Sequence, residues 1–141
     1  EKINNNFKKI DFVLSPALGG IVVGYEIGRQ LNVQSIFAER QKDKLILRRG
    51  FFIPKDSNVL VVEDVITTGR SALECLEIIK LYKANLLGYA CIIDRSDNRV
   101  LIKDKIISQI KFKMTTYKES ELPDRLKKIP PLEPGSKNIN K

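Results

Sequence analysis

Thirteen consecutive residues, Val59-Leu60-Val61-Val62-Glu63-Asp64-Val65-Ile66-Thr67-Thr68-Gly69-Arg70-Ser71, constrain this chain more than any other stretch. Val59 to Val62 is apolar, mostly β-branched and without polar alternation. That pattern predicts a strand buried on both faces, as in a parallel sheet. Two adjacent carboxylates follow, then a turn with two threonines and a glycine. Ser71-Ala72-Leu73-Glu74 fits a capping box and predicts a helix running to about Ala84.

The order of these pieces carries chemistry. The carboxylates fall at the C-terminal end of a parallel strand, where open α/β sheets bind ligands. The Thr67-Thr68-Gly69 turn aims backbone N–H groups and hydroxyls at one point, and the helix adds the positive end of its dipole. An anion, most simply a phosphate monoester, suits that loop. Glu63 and Asp64 repel phosphate but accept hydrogen bonds, so they suit sugar hydroxyls. Together the two describe a site for a ribose 5-phosphate. The G-x-x-x-x-G-K-[ST] spacing of a Walker A loop is absent. An acidic pair alone is equally a strand end with a cap; strand, acids, Thr-Thr-Gly and helix in register favour the ligand site.

Other residue types narrow the chemistry further. There is no histidine, and the two cysteines, Cys75 and Cys91, form no C-x-x-C pair. A zinc site and a Ser-His or Cys-His nucleophile are thereby disfavoured. Both thiols read as small buried hydrophobes in a reducing cytoplasm. The formal charge is +8, from 25 Lys+Arg against 17 Asp+Glu. Such a balance fits nucleic acid or a polyanionic small substrate, and no basic stretch carries the interleaved aromatics of an RNA-binding motif. No apolar run is long enough to span a membrane, and Glu1-Lys2-Ile3-Asn4 is no signal peptide. The expected location is cytoplasmic.

In chain order, Glu1 to Lys9 reads as the last turns of an amphipathic helix, with Ile3 and Phe7 on one face. Ile10 to Leu14 reads as a strand, Ser15 to Gly20 as a turn, and Ile21 to Leu31 as a helix. Gly19-Gly20 serves either a tight turn or close backbone approach to a ligand. Val33 to Ala38 is a strand, Glu39 to Lys44 a charged hairpin-like excursion, and Leu45 to Ile53 the returning strand. Pro54 to Ser57 is a turn. Leu86 to Ile93 is a strand ending in Asp94-Arg95-Ser96-Asp97-Asn98, and Val100 to Ile102 and Ile106 to Met114 are short strands. Thr115 to Lys141 reads as an irregular or disordered tail. With 141 residues and 43% hydrophobic content, the chain suits one α/β domain spanning 1–141: a central, mostly parallel sheet with helices on both faces.

The apolar strand, acid pair and Thr-Thr-Gly loop resemble the type I phosphoribosyltransferases, which use phosphoribosyl pyrophosphate (PRPP). Ser15-Pro16-Ala17-Leu18-Gly19-Gly20 resembles the family's pyrophosphate loop. Ala38-Glu39-Arg40 with Leu47-Arg48-Arg49-Gly50-Phe51, Ile93-Asp94-Arg95, and Pro134-Gly135-Ser136-Lys137 are similar to its orotate-using branch. The resemblance implies transfer of ribose 5-phosphate to orotate in pyrimidine (UMP) synthesis, with Mg²⁺ arriving on PRPP rather than on protein ligands. It implies that Ser15, Ala17, Leu18, Gly19 and Gly20 bind the pyrophosphate side of PRPP. Glu63 and Asp64 would hold the ribose hydroxyls, with Asp64 also counted as catalytic. Val65, Ile66, Thr67, Thr68, Gly69, Arg70 and Ser71 would hold the 5′-phosphate, and Thr67 and Arg95 would face orotate. Arg40, Lys42 and Lys44 would close over the leaving pyrophosphate from a mobile loop acting across a homodimer. A segment that hoods the base in this family is expected to be absent from this chain. The alternatives are a purine or uracil phosphoribosyltransferase, and a PRPP-sensing regulator that binds nucleic acid.

Overall fold

The computed structural model describes residues 1–96, 100–115 and 117–130. The chain runs α1 (Lys2–Asn6), β1 (Phe12–Pro16), α2 (Gly19–Leu31), β2 (Gln34–Gln41), β3 (Lys44–Leu47), β4 (Asn58–Ile66), α3 (Arg70–Leu81), β5 (Asn85–Asp94), β6 (Ile106–Lys111), a 3₁₀ turn (Glu119–Glu121) and α4 (Asp124–Lys127). Six strands form one sheet in the order β3-β2-β1-β4-β5-β6. Only the β2–β3 pairing is antiparallel.

The missing polar alternation of β4 has its physical cause here. Val59 and Val61 pack on the α3 side with Ala72, Cys75 and Ile79, while Leu60 and Val62 pack on the other side with Val23 and Ile27 of α2 and with Phe7. All four β4 side chains have zero exposure. Two apolar layers against one sheet are what parallel strands require. The expected fold class is the one observed, with α1 and α2 on one face and α3 on the other.

Several expected boundaries move. β4 continues through Glu63 and Asp64 to Ile66, because these residues keep pairing with Cys91 to Asp94 of β5. The capping box does not form. The N-cap of α3 is Gly69, with φ 80°, and it makes no side-chain cap bond; Glu74 is used elsewhere. The helix stops at Leu81 rather than near Ala84, where Lys83 turns left-handed and the Ala84 N–H returns to the Ile79 carbonyl at 3.0 Å. β1 runs two residues later than expected, and Gly19-Gly20 already belongs to α2. β2 reaches Gln41, so the charged excursion is a β-hairpin turning at Lys42 and Asp43. β3 ends at Leu47 because Arg49 and Gly50 adopt positive φ and the Phe51 N–H bonds back to Arg48. Val100 to Ile102 is not a strand, and β6 ends at Lys111, short of Met114. The tail holds two short helical turns within 117–130; Pro134 to Lys137, like Asp97 and Asn98, lies outside the described residues.

α2 is seated unusually close to the sheet. Its buried residues are Gly20, Gly24 and Gly28, spaced four apart on one face. A Cβ on Gly24 would strike Ser15 Oγ and lie 3.0 Å from Ser15 Cβ; one on Gly28 would lie 2.8 Å from Ser35 Cβ. Alanine at 24 gains about 1 kcal/mol of helix propensity. Overpacking at such a contact costs about 1–3 kcal/mol. Gly24→Ala should therefore destabilise the protein and lower its urea midpoint. A midpoint at or above wild type would show that β1 yields instead.

Candidate active site at the carboxyl edge of the sheet

β1, β2, β4 and β5 run parallel, so their C-terminal ends share one edge. The ends of β1 and β4 feed the first turns of α2 and α3 at that edge. The first turn of a helix has N–H groups without intrahelical partners, and neither N-cap residue, Leu18 nor Gly69, supplies a side-chain acceptor. Two positive helix ends therefore face the edge where Glu63 and Asp64 stand.

The loop after β4 encloses a hollow of about 60 Å³, lined by Glu63 and by Val65 through Ala72. It is built from outside as well as from within. The Leu101 N–H donates to the Thr68 carbonyl at 3.0 Å. The Ile102 side chain lies so close beneath Gly69 that a Cβ there would sit 2.7 Å from Ile102 Cδ1. Glycine at 69 is thus required twice, by its positive φ and by this contact. Sequence reasoning read 100–102 as a strand and missed this brace.

The loop after β1 meets the acid pair directly. A Cβ on Gly19 would collide with the Asp64 carboxylate, and one on Gly20 would lie 3.1 Å from the Val62 carbonyl. Asp64 Oδ1 accepts from the Val65 N–H at 2.8 Å. Ser15 is fully buried with its Oγ lacking a partner among the described residues, the Ala17 N–H bonds the Ala38 carbonyl at 2.8 Å, and Leu18 projects into solvent. Ser15, Ala17, Leu18, Gly19 and Gly20 thus share one edge with Glu63, Asp64 and Thr67 to Ser71.

Arg95 follows β5, and its N–H donates to the Ile66 carbonyl at 2.8 Å, which places it beside Thr67. Its guanidinium Nε is buried and has no hydrogen-bond partner among the described residues. The neighbouring Asp94 is buried; desolvation opposes its charge, but the Ser96 bond and Lys111 outweigh that and hold its carboxyl below the usual range.

The hairpin is tethered differently from the free loop expected. Arg40 bonds Glu74 of α3 and the Asp43 carbonyl, and Leu45 is buried in the core. Lys42 sits at the tip with φ 53°, and Lys44 opens β3, both exposed. The structure brings Arg40 to α3 rather than to the Gly19 loop. Glu74 lies four residues after Arg70, the spacing of a helical ion pair, but nothing in the sequence signals its bond to Arg40, 34 residues earlier.

The phosphoribosyl transferase domain matches residues 1–121 of this sequence. The chain belongs to the phosphoribosyltransferase family. An orotate phosphoribosyltransferase of Methylorubrum extorquens is 44% identical over 142 residues, covering all of this chain and 72% of that protein. One from Chlorobaculum parvum is 46% identical, covering 92% of this chain and 67% of its own length. Among solved structures, orotate phosphoribosyltransferase from Aeropyrum pernix aligns with a TM-score of 0.60 at 18% identity, over 77% of this chain and 64% of that one. Adenine phosphoribosyltransferase from Thermoanaerobacter pseudethanolicus aligns at 0.65 and 18%, over 74% and 71%. At such identities the structures establish the phosphoribosyltransferase fold alone.

Within that fold the acid pair is not a pair of equals. Burial, then the adjoining Asp64 carboxylate, pushes Glu63 from 4.5 up to about 8. The folded chain thus holds a proton on Glu63 that the unfolded chain releases near 4.5. This group's stabilising contribution is full below about pH 4.5 and is lost as pH rises towards about 8. Glu63→Gln should flatten that decline: from about pH 5 to about pH 8 the wild-type urea midpoint should fall relative to the variant's. Parallel pH profiles would remove Glu63 as the source.

Proposed function

We propose that this chain transfers ribose 5-phosphate from PRPP to orotate, giving orotidine 5′-monophosphate and pyrophosphate in pyrimidine nucleotide (UMP) synthesis. The observation that carries the choice of base is Arg95. Its buried Nε, without a partner among the described residues, stands beside the Thr67 loop. A carboxylate on the base meets such a guanidinium with a charged, two-oxygen acceptor; a purine or uracil offers it only neutral acceptors. The two curated relatives described above bear the name of this activity.

In this reading the first-turn N–H groups of α3, with Thr67 to Ser71, take the 5′-phosphate. Glu63 and Asp64 take the ribose hydroxyls, and Asp64 lies close to a ring that gains positive charge as its bond to pyrophosphate breaks. Residues 15–20 and the N-terminus of α2 take the leaving group, with Arg40, Lys42 and Lys44 as its cationic cover. No side chain acts as a nucleophile, so a chain without histidine can do this chemistry. Among the described residues no group of three or more His, Cys, Asp and Glu could hold a metal ion, and Mg²⁺ is assigned to PRPP itself. When bound, Mg²⁺ neutralises charge on the departing pyrophosphate. We further propose that residues 1–141 act as one domain, in the cytoplasm, where Cys75 and Cys91 stay free, and that neither nucleic acid nor membrane is a partner. No helix among the described residues is long and apolar enough to cross a membrane.

The direct test is loss of orotate absorbance with PRPP and Mg²⁺, with adenine, hypoxanthine and uracil as controls; turnover of a control base but not orotate would overturn the assignment. Arg95→Ala should raise KM for orotate about ten- to a hundredfold, the worth of a charged hydrogen bond, with KM for PRPP within about twofold. Equal losses for both substrates would detach Arg95 from the base.

We also propose a two-fold dimer whose hairpins serve each other's sites. β2 extends three residues beyond its last pairing with β1, so the hairpin projects past the carboxyl edge. Mixing Asp64→Asn chains with chains carrying Lys42→Ala and Lys44→Ala should restore about a quarter of wild-type activity at random exchange. Mixtures that stay inactive despite demonstrated exchange would place the hairpin in cis.

A further inference from the structure

We propose that Glu74 is a positioning residue that sets the hairpin's cationic arm by tying it to the phosphate-loop helix. The inference rests on the reading of this chain as a PRPP-using transferase, and its geometry is independent of that reading. Glu74 belongs to α3, yet both its oxygens are turned to the hairpin. Arg40 Nη2 donates to Oε1 at 3.1 Å, Arg40 Nη1 lies 3.0 Å from Oε2, and the Leu45 N–H donates to Oε2 at 3.1 Å. Arg70 Nε, one turn back on α3, lies 3.6 Å from Oε1.

One carboxylate thus collects a guanidinium from β2, a backbone donor from β3 and a guanidinium from the start of α3. Both hairpin strands and the phosphate-loop helix are joined through a single side chain. This differs from an ordinary surface ion pair, which contributes little because two exposed side chains are free to part. Glu74 is only 22% exposed, it is met by both Arg40 nitrogens, and one donor is backbone that cannot swing away. The Glu39–Arg49 pair beside it, at 2.8 Å, links β2 only to the turn after β3 and leaves α3 untouched. Two guanidinium groups share the one carboxylate, so its charge is matched from both the hairpin and α3. Without Glu74, Arg40 keeps its bond to the Asp43 carbonyl within the hairpin but loses its polar tie to α3, and the Leu45 N–H loses its side-chain acceptor.

The test compares Glu74→Ala, Glu74→Gln and Arg40→Ala with wild type, with Glu39→Gln as the control that breaks the neighbouring pair. Trypsin reports hairpin opening through its sites at Arg40, Lys42 and Lys44 without needing turnover. Glu74→Ala should be cut at Lys42 and Lys44 about fivefold faster than wild type, Glu74→Gln by less because it keeps an acceptor for Leu45, and Glu39→Gln at close to the wild-type rate. In kinetics, Glu74→Ala should lower kcat about tenfold while the Ki of ribose 5-phosphate stays within about twofold, a split that a general loss of structure would not give. Combining Arg40→Ala with Glu74→Ala should cost no more than the worse single change. Unchanged cleavage in both Glu74 variants, cleavage raised equally in Glu39→Gln, or additive losses in the double variant would overturn the proposal. If wild type shows no transfer to any base, the functional reading fails, and proteolysis still decides the role of Glu74.

Discussion

Desolvation of β4 is the constraint on which the other features depend. Its four apolar residues are buried from both sides, so the strand can lie only in the middle of a sheet covered by helices on each face. A central parallel strand has one free end at which to place polar groups. Glu63 and Asp64 occupy it, between the starts of two helices. The cost of keeping an acid there is visible in Glu63, which retains a proton to about pH 8 because burial and a second carboxylate both disfavour its charge. A polyhydroxyl ligand is met by acceptors, and by one carboxyl that can also donate.

The second organising fact is the absence of side chains. α2 reaches β1 through Gly20 and Gly24 and β2 through Gly28, and Gly19 abuts the Asp64 carboxylate. Close seating of α2 brings the loop for the leaving group within contact of the acid for the ribose. A phosphoribosyl donor carries both chemical groups on one sugar, a few bonds apart, so the two loops have to be neighbours to hold it.

Much of this was legible in the sequence because local signals and tertiary demands agreed. The β-branched run, the Thr-Thr-Gly turn and the apolar spacing of α2 and α3 each point to what forms. The discrepancies have a common origin in side chains whose partners lie far along the chain. Ser71 and Glu74 satisfy a capping pattern, yet Gly69 takes the left-handed cap and Glu74 is drawn to Arg40, 34 residues earlier. Val100 to Ile102 has strand composition, but Leu101 and Ile102 are recruited by Thr68 and Gly69 instead of a ladder. β4 overran its predicted end because pairing with β5, not residue type, decides where a strand stops. Arg95 is pointed to by the resemblance of Ile93-Asp94-Arg95 to the orotate-using branch; that its Nε is buried and lacks a described partner is not readable from composition or periodicity.

The brace of Leu101 and Ile102 beneath the phosphate loop also bears on the order of assembly. Residues 67–71 follow β4 immediately, yet their shape is held by atoms more than thirty positions later. In a chain emerging from the ribosome, α2, the hairpin and the central strand can begin to pack while Gly69 still faces water. β5 must then add beside β4, and the chain must double back before Thr68 finds its donor. In a chain made from its N-terminus, the anion-binding loop therefore takes its final form only after residues 101 and 102 have been made.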